Sequence, residues 1–273
     1  MDVSIIIVNY NTYTLTHDCI ASVFKQTIDI DFEVIVSDNG SKDGSIEMIK
    51  TEFPQVILIE NNENLGFGAA NNRGLTIAQG KYIFYLNSDT ILLNNAVKHF
   101  FDYWEMSLEK DTIGALGCVL VDKDGNAIHS GGNLPNPIHE LLYFCKCIFS
   151  SKGLVIHKKH SIKIGEIGYI TGADLFMLNN NNARYDENFF MYYEESDLQL
   201  NLQKKGKKRL IIDGPKIIHL EGGSEKQKSI HYDFGKKTSK YYWESCVYYL
   251  KKNLKANFTA KIILLLMKLL KMN

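Results

Sequence analysis

The sequence predicts an α/β fold, a single domain with a mostly parallel central sheet followed by a helical C-terminal tail. Short apolar runs recur through the first half of the chain with helix-patterned stretches between them. Several of those runs end abruptly in Asn, Ser or Asp, as in VSIIIVNYN and YIFYLNSDT. Beyond residue 202 the chain turns from acidic to basic, which separates a tail from the body.

Residues 3–8 form a continuous apolar run with no basic region before it. It is too short for a secretory signal, so it reads as a buried first strand. A helix over 15–26, a strand over 32–37 and a helix over 41–52 follow. Further strands cover 56–60 and 82–86, with a glycine-rich turn and helix over 66–78 between them. Continuous apolar strands with intervening helices imply a sheet covered on both faces. Residues 113–120 and 127–131 read as later strands, the second entering a loop rich in Gly, Asn and Pro. Residues 133–165 show no steady period and include KKH at 158–160, so they read as an excursion outside the core. A strand over 168–178, a helix over 196–205 and a short strand over 209–212 close the body. Residues 232–253 read as an aromatic-rich helix, and 256–270 are nearly all apolar apart from Lys261 and Lys268. The expected division is a folded body at 1–225 and a basic helical tail at 226–273.

The 273 residues carry no net formal charge, but the distribution is uneven. Residues 1–202 hold 14 Lys and Arg against 26 Asp and Glu, whereas 203–273 hold 17 against 5. A basic tail points to an anionic partner such as a phosphate-bearing lipid, a membrane face or a nucleic acid. Five scattered cysteines argue against a disulfide framework and for a reducing, cytoplasmic setting. Cys145 and Cys147 lack zinc-site spacing and read as packing or loop residues.

Three clusters and one histidine can carry chemistry. Asp38-Asn39-Gly40-Ser41 follows a strand; it serves either as a turn with an N-cap or as a ligand site in which Asp38 accepts hydrogen bonds from a base or ribose. Only Asn9-Tyr10-Asn11 follows the first strand. The missing GxGxxG disfavours a dinucleotide fold, and the missing phosphate loop and lysine disfavour a nucleotidyltransferase, the competing enzyme reading. In Asn87-Ser88-Asp89 the alternate side chains Asn87 and Asp89 can face one ligand. A carboxylate there, with phosphate oxygens and water, suits Mg2+ or Mn2+, unless Asp89 caps the next helix. Glu194-Glu195-Ser196-Asp197 crowds three acids beside aromatic residues, which favours a carboxylate able to take a proton; acids are also common at a solvated helix start. His219, at a strand end before Gly222-Gly223, is placed to approach a metal or phosphate.

Together these segments resemble the GT-A glycosyltransferases of family 2, in particular the rhamnosyltransferase-like enzymes of bacterial surface polysaccharide assembly. The resemblance covers about residues 2–225. It rests on VSIIIVNYN, DNGSKDGS, NNENLGFGAANNRGL, YIFYLNSDT, ITGADLFMLN, FFMYYEESDLQLNLQKKG and HLEGGS, in that order. It implies a nucleotide-sugar-binding domain in which Asp89 holds the divalent cation bridging the donor diphosphate and Asn87 stands for the first Asp of an Asp-x-Asp motif. By the same resemblance Asp38 is the nucleobase-side acid and the Asn9–Asn11 loop lines the uracil or thymine pocket. Asn71 and Arg73 fall in the segment that contacts diphosphate or sugar. Glu195 matches the general base, with Glu194 and Asp197 the alternatives, and His219 completes the metal shell. The implied reaction is inverting transfer from a dTDP- or UDP-sugar, rhamnose by subfamily resemblance, to a glycan or lipid-linked glycan, with no nucleic acid involved. A non-catalytic scaffold of a polysaccharide assembly complex is the competing reading outside enzymes.

The tail sharpens the location. A helix over 256–271 sets lysines in one sector and apolar residues across much of the rest, too short for a span but suited to an anionic membrane surface, with Lys251, Lys252 and Lys255 meeting headgroups. Peripheral attachment at the inner face of the cell membrane follows. The competing placement is docking on the catalytic domain or in a homodimer interface.

Overall fold

The computed structural model describes residues 1–149, 163–220 and 237–270. In chain order the elements are β1 (Val3–Asn9), α1 (Tyr13–Gln26), β2 (Phe32–Asp38), α2 (Ser45–Glu52), β3 (Ile57–Glu60), α3 (Phe67–Ile77), β4 (Tyr82–Asn87), β5 (Thr90–Leu92) and α4 (Ala96–Met106). They continue with β6 (Ile113–Cys118), β7 (Gly131–Gly132), α5 (Pro137–Phe149), β8 (Gly165–Glu166), β9 (Tyr169–Ile170), β10 (Asp174–Leu178), α6 (Glu194–Lys204), β11 (Lys208–Ile212), β12 (Ile217–His219), α7 (Lys237–Leu254) and α8 (Asn257–Leu269).

Eight strands form one sheet in the order β3-β2-β1-β4-β10-β6-β11-β8. The first four run parallel, as do β6 and β11; β10 is antiparallel to both of its neighbours and β8 to β11. Alternation along the strands sorts the core into two layers. Val3, Ile5, Ile7, Val34, Val36, Phe84 and Leu86 meet α1, α2 and α4, whereas Ile6, Ile35, Ile83 and Tyr85 meet the α6 leucines and half-buried residues of α3. A third apolar cluster joins α5, α7 and α8 to Phe189 and Tyr193.

Several departures from the sequence reading have local causes. The helix expected over 41–52 starts at Ser45, because Asp43 ties the preceding loop down by accepting from the Ser45 and Tyr13 amides. The strand expected over 168–178 is two strands, β9 and β10, broken at residues 171–173. The strand over 127–131 reduces to a bridge between Ala127 and Val121 and to β7. The stretch 133–165, read as an excursion outside the core, contains α5, whose Phe144 is fully buried. Its start signal was Asn136-Pro137: Asn136 Oδ1 accepts from the Ile138 and His139 amides, and proline suits the first helical turn. KKH at 158–160 lies outside the described residues. Helix α4 also went unread, although Ala96, Val97, Phe100 and Trp104 make a buried stripe at helical spacing.

Candidate active site

The rim begins where β1 and β2 end together, with Asn9 opposite Asp38. Asn9 Nδ2 donates to Asp38 Oδ2 at 2.6 Å, and the Ser41 amide donates to Asp38 Oδ1 at 2.8 Å. Asn9 Oδ1 accepts from the hydroxyls of Thr12 and Thr16, both at 2.7 Å. Both Asn9 and Asp38 are fully buried, so their visible work is to lock the turns that form the rim. Asn11, at φ 54°, is exposed and accepts from the Lys42 amide, tying the first loop to the second.

The second loop is sewn to residues 61–66 by asparagines that the sequence reading passed over. Asn39 donates to Asn64 Oδ1 and to the Gly66 carbonyl, and it accepts from Asn61 Nδ2. Gly66 allows no other residue: its φ is 87°, and a Cβ would stand 2.2 Å from the Phe190 oxygen. On α3, the buried Asn71 donates to its own helix at the Phe67 carbonyl, while Arg73 is exposed. Their neighbour Asn72 makes the tertiary contacts, pairing with both backbone groups of Tyr185 and with Glu187.

Strand β4 delivers the next group. Asn87 ends it, and Ser88 and Asp89 turn into β5 rather than into a helix. Strand β12 pairs antiparallel with β5, setting His219 opposite Thr90. That pairing places His219 Nε2 3.1 Å from Asp89 Oδ1 and 3.5 Å from Asn87 Nδ2. Asn87 Oδ1 is buried with no hydrogen-bond partner among the described residues. Among those residues no three His, Cys, Asp or Glu side chains converge as a cage. Asp89, His219 and the buried Asn87 oxygen are the groups here that could hold a divalent cation, short of a cage of three acid, His or Cys ligands among the described residues. Residues 221–224 of the HLEGGS motif lie outside the described residues.

The carboxylate cluster opens α6, with Glu194 and Glu195 in its first turn. Burial pushes Glu195 up to about 7, and burial followed by the Glu195 charge raises Glu194 well above the carboxylate range. Glu195 therefore sits near the point at which a carboxylate can take up and release a proton at neutral pH. Asp197 has another partner set: Lys252 Nζ at 2.8 Å and Asn253 Nδ2 at 2.6 Å, both on α7. Immediately before the cluster, Tyr192 and Tyr193 both have φ of 69°, a region that costs a non-glycine residue roughly 1–2 kcal/mol. Helix α7 covers this segment: Tyr241 packs on Phe190, Tyr242 on Tyr192 and Tyr193, and Tyr248 on Phe189. Lys252, expected at lipid headgroups, bridges Asp186 and Asp197 instead.

Asp174 is a further acid that the sequence reading did not single out. It lies fully buried at the start of β10, opposite Leu86, and accepts from the Cys118 amide at 2.7 Å. Burial pushes it up to about 7.

The mostly parallel sheet with polar strand ends is consistent with a GT-A fold. The mannosyltransferase PcManGT from Pyrobaculum calidifontis, solved in complex with GDP-Man and Mn2+, superposes with a TM-score of 0.60 at 15% identity, covering 93% of this chain and 64% of that one. Residues 4–159 match the model of Glycosyl transferase family 2, and the chain belongs to that family. Chondroitin synthase of Escherichia coli is 33% identical over 141 residues, 49% of this chain but 19% of that protein's length. N-acetylglucosaminyl-diphospho-decaprenol L-rhamnosyltransferase of Mycobacterium tuberculosis is 25% identical over 206 residues, covering 68% of this chain and 66% of the relative.

Proposed function

We propose that this chain is an inverting glycosyltransferase that moves a sugar from a nucleoside-diphosphate donor to a hydroxyl of a glycan or lipid-linked glycan. The observation that carries the reading is the Asp89–His219 pair at 3.1 Å beside the end of β4, on a rim shared with a carboxylate poised near pH 7. A bound Mg2+ or Mn2+, held by Asp89 and His219 with Asn87 beside it, would neutralise charge on the departing nucleoside diphosphate. Glu195 accepts the proton of the acceptor hydroxyl as that oxygen attacks the anomeric carbon. With that oxygen forming its bond to the anomeric carbon as the bond to the nucleoside diphosphate breaks, the transfer is a single displacement with inversion and needs no covalent intermediate. The Asn9–Asp38 turn and the Asn39–Asn64 lacing hold the nucleotide end of the cleft, where a uridine or thymidine diphosphate donor is accommodated. Rhamnose as the sugar is proposed from the subfamily resemblance, alongside the mycobacterial L-rhamnosyltransferase that is 25% identical over 206 residues.

The test is a panel of UDP- and dTDP-sugars incubated with the protein and Mn2+ or Mg2+, reading released nucleoside diphosphate. Metal-dependent release from one donor supports the reading; no release from any donor, with or without a lipid-diphosphate glycan acceptor, sinks it.

The same reading places the chain at an anionic bilayer. No described helix is long and apolar enough to cross a membrane. Helix α8 buries Ala260, Ile263 and Met267 yet exposes Phe258, Leu265 and Leu269, with Lys261 and Lys268 exposed beside them. An exposed apolar stripe flanked by cations suits the headgroup boundary better than bulk water. Truncation would also strip the buried face, so Leu265→Asn with Leu269→Asn is the cleaner test: vesicle sedimentation should fall about tenfold on anionic liposomes, and unchanged binding removes α8 from the membrane account.

A further inference from the structure

We infer that Glu140 is a positioning residue for the transfer reaction, acting through the Tyr193 hydroxyl on the turn that presents Glu195; this rests on the reading of Glu195 as the base. Glu140 lies on α5, 53 residues before Tyr193 in sequence, and is 6% exposed. The Tyr193 hydroxyl donates to Glu140 Oε2 at 2.7 Å and stands 3.1 Å from the Tyr242 hydroxyl of α7. A buried carboxylate is costly to hold unless hydrogen-bonded, and packing alone at this position calls for an apolar side chain. Here it is matched to a phenol, a short charge-assisted bond with a defined direction.

That bond acts on a backbone that needs holding. Tyr192 and Tyr193 are consecutive bulky residues in the left-handed region, and such conformations persist only where the surroundings over-determine them. The Tyr193 carbonyl accepts the Asp197 amide at 2.8 Å, a bond that starts α6, so any shift of Tyr193 carries Glu194 and Glu195 with it. The surrounding supports are packing and backbone contacts: Tyr242 and Tyr249 rings against Tyr193, Ser245 donating to the Met191 carbonyl, and the Phe67 amide donating to the Phe190 carbonyl. Glu140 and Tyr242 supply the polar hold. Burial first of all raises both phenols well above their ordinary range, which keeps them protonated as donors. Around Glu195 the titratable groups are Glu194 beside it, Tyr169 on β9 and Tyr185 in the loop before α6. A displaced turn carries Glu194 along with Glu195 and changes the distances of Glu195 to Tyr169 and Tyr185.

The experiment compares Tyr193→Phe, Glu140→Leu and Glu140→Gln, the last of which keeps an acceptor oxygen. Readouts are nucleoside-diphosphate release from the donor that turns over, UDP binding with Mn2+, and the pH dependence of kcat. The expected result is a kcat roughly tenfold or more lower in Tyr193→Phe and Glu140→Leu. Glu140→Gln should recover part of it, UDP affinity should stay unchanged, and the midpoint near pH 7 should move. The double variant should be no worse than the worse single one, since both changes break one bond. Lower melting temperature with unchanged kcat and unchanged pH midpoint in both Tyr193→Phe and Glu140→Gln overturns the positioning role and leaves a structural one. If Glu195→Gln itself turns over normally, the base assignment fails first; if Glu195→Gln is inactive while Tyr193→Phe and Glu140→Leu keep kcat and midpoint, only the inference about Glu140 fails.

Discussion

The two halves of the rim are held in different ways. At the ends of β1 and β2 the polar side chains are satisfied by neighbours on an adjoining strand or loop, as Asn9 is by Asp38, Thr12 and Thr16, and at the end of β4 the β5–β12 pairing holds His219 against Asp89. At the start of α6 the backbone is strained and the support comes from distant helices, with Tyr193 on Glu140 and Asp197 on Lys252 and Asn253. Strand ends are rigid by virtue of the ladder, so they need only local hydrogen bonds. A turn outside the ladder has to be clamped from beyond itself.

The largest effect should come from the clamped half. Glu195→Gln keeps the shape but cannot accept a proton, and general-base loss costs about 10²–10⁴ in rate. We expect a kcat loss of about 10³ with UDP affinity retained, and the wild-type rate should fall as pH drops below the Glu195 value of about 7. Equal loss in Glu194→Gln with normal turnover of Glu195→Gln would reassign the base. On the ladder half, Asp89→Asn should lower turnover by about 10², because a neutral amide is a poor partner for a cation. Titrating Mn2+ against turnover checks it; an unchanged metal requirement separates Asp89 from the metal.

Legibility followed the same division. That Asn9, Asp38, Asn87, Asp89 and His219 stand at or just past strand ends was readable because each sits where an apolar run stops, a local signal. Strands β1 to β4 of a mostly parallel sheet were readable as apolar runs between helical stretches, whereas the GT-A assignment came from the resemblance of the motifs. The antiparallel insertion of β10 between β4 and β6 was not readable, since strand direction depends on the return path of the chain. Nor was Glu140, which sits in a stretch without clear period, 53 residues from its partner Tyr193. Asp174 did offer a sign: one acid inside an otherwise apolar strand, ADLFML, is costly enough to need a reason.

A smaller effect should come from the clamp itself. Lys252 joins Asp186 and Asp197, and its charge, against the opposing effect of burial, helps hold Asp186 down to about 2. Lys252→Met would leave the buried Asp197 carboxylate without its cation, a loss of about 2 kcal/mol after allowing for the partial exposure of the lysine. Urea unfolding at pH 7 measures it. A loss under about 0.5 kcal/mol would mean that the aromatic contacts of α7 hold the turn alone.

The smallest expected effect tests the ladder half from beneath. Asp174 is buried between β4 and β6, with Oδ2 bound to the Cys118 amide and Oδ1 without a partner among the described residues. Its folded value of about 7 lies above the ordinary aspartate value of 3.8, so the native state binds the extra proton between those limits. Stability is therefore greatest below the unfolded value and declines as pH rises towards and through the folded one. Asp174→Asn keeps an acceptor for Cys118 and removes the titration. Its pH dependence should be flatter, with a gain over the wild type at pH 8.5 of about 1 kcal/mol, each pKa unit being worth about 1.4 kcal/mol and the new amide donor offsetting part of it. At pH 5 the balance should reverse: over the roughly two units between pH 5 and the folded value the wild type gains about 2.7 kcal/mol that the amide does not, which leaves Asp174→Asn the less stable protein there by about 1.7 kcal/mol. Thermal melts of both proteins at the two pH values decide it: parallel melting curves across that range would show that Asp174 is not protonated in the native state, and that the buried strand end is as electrostatically settled as Asn9 and Asp38 are at the rim.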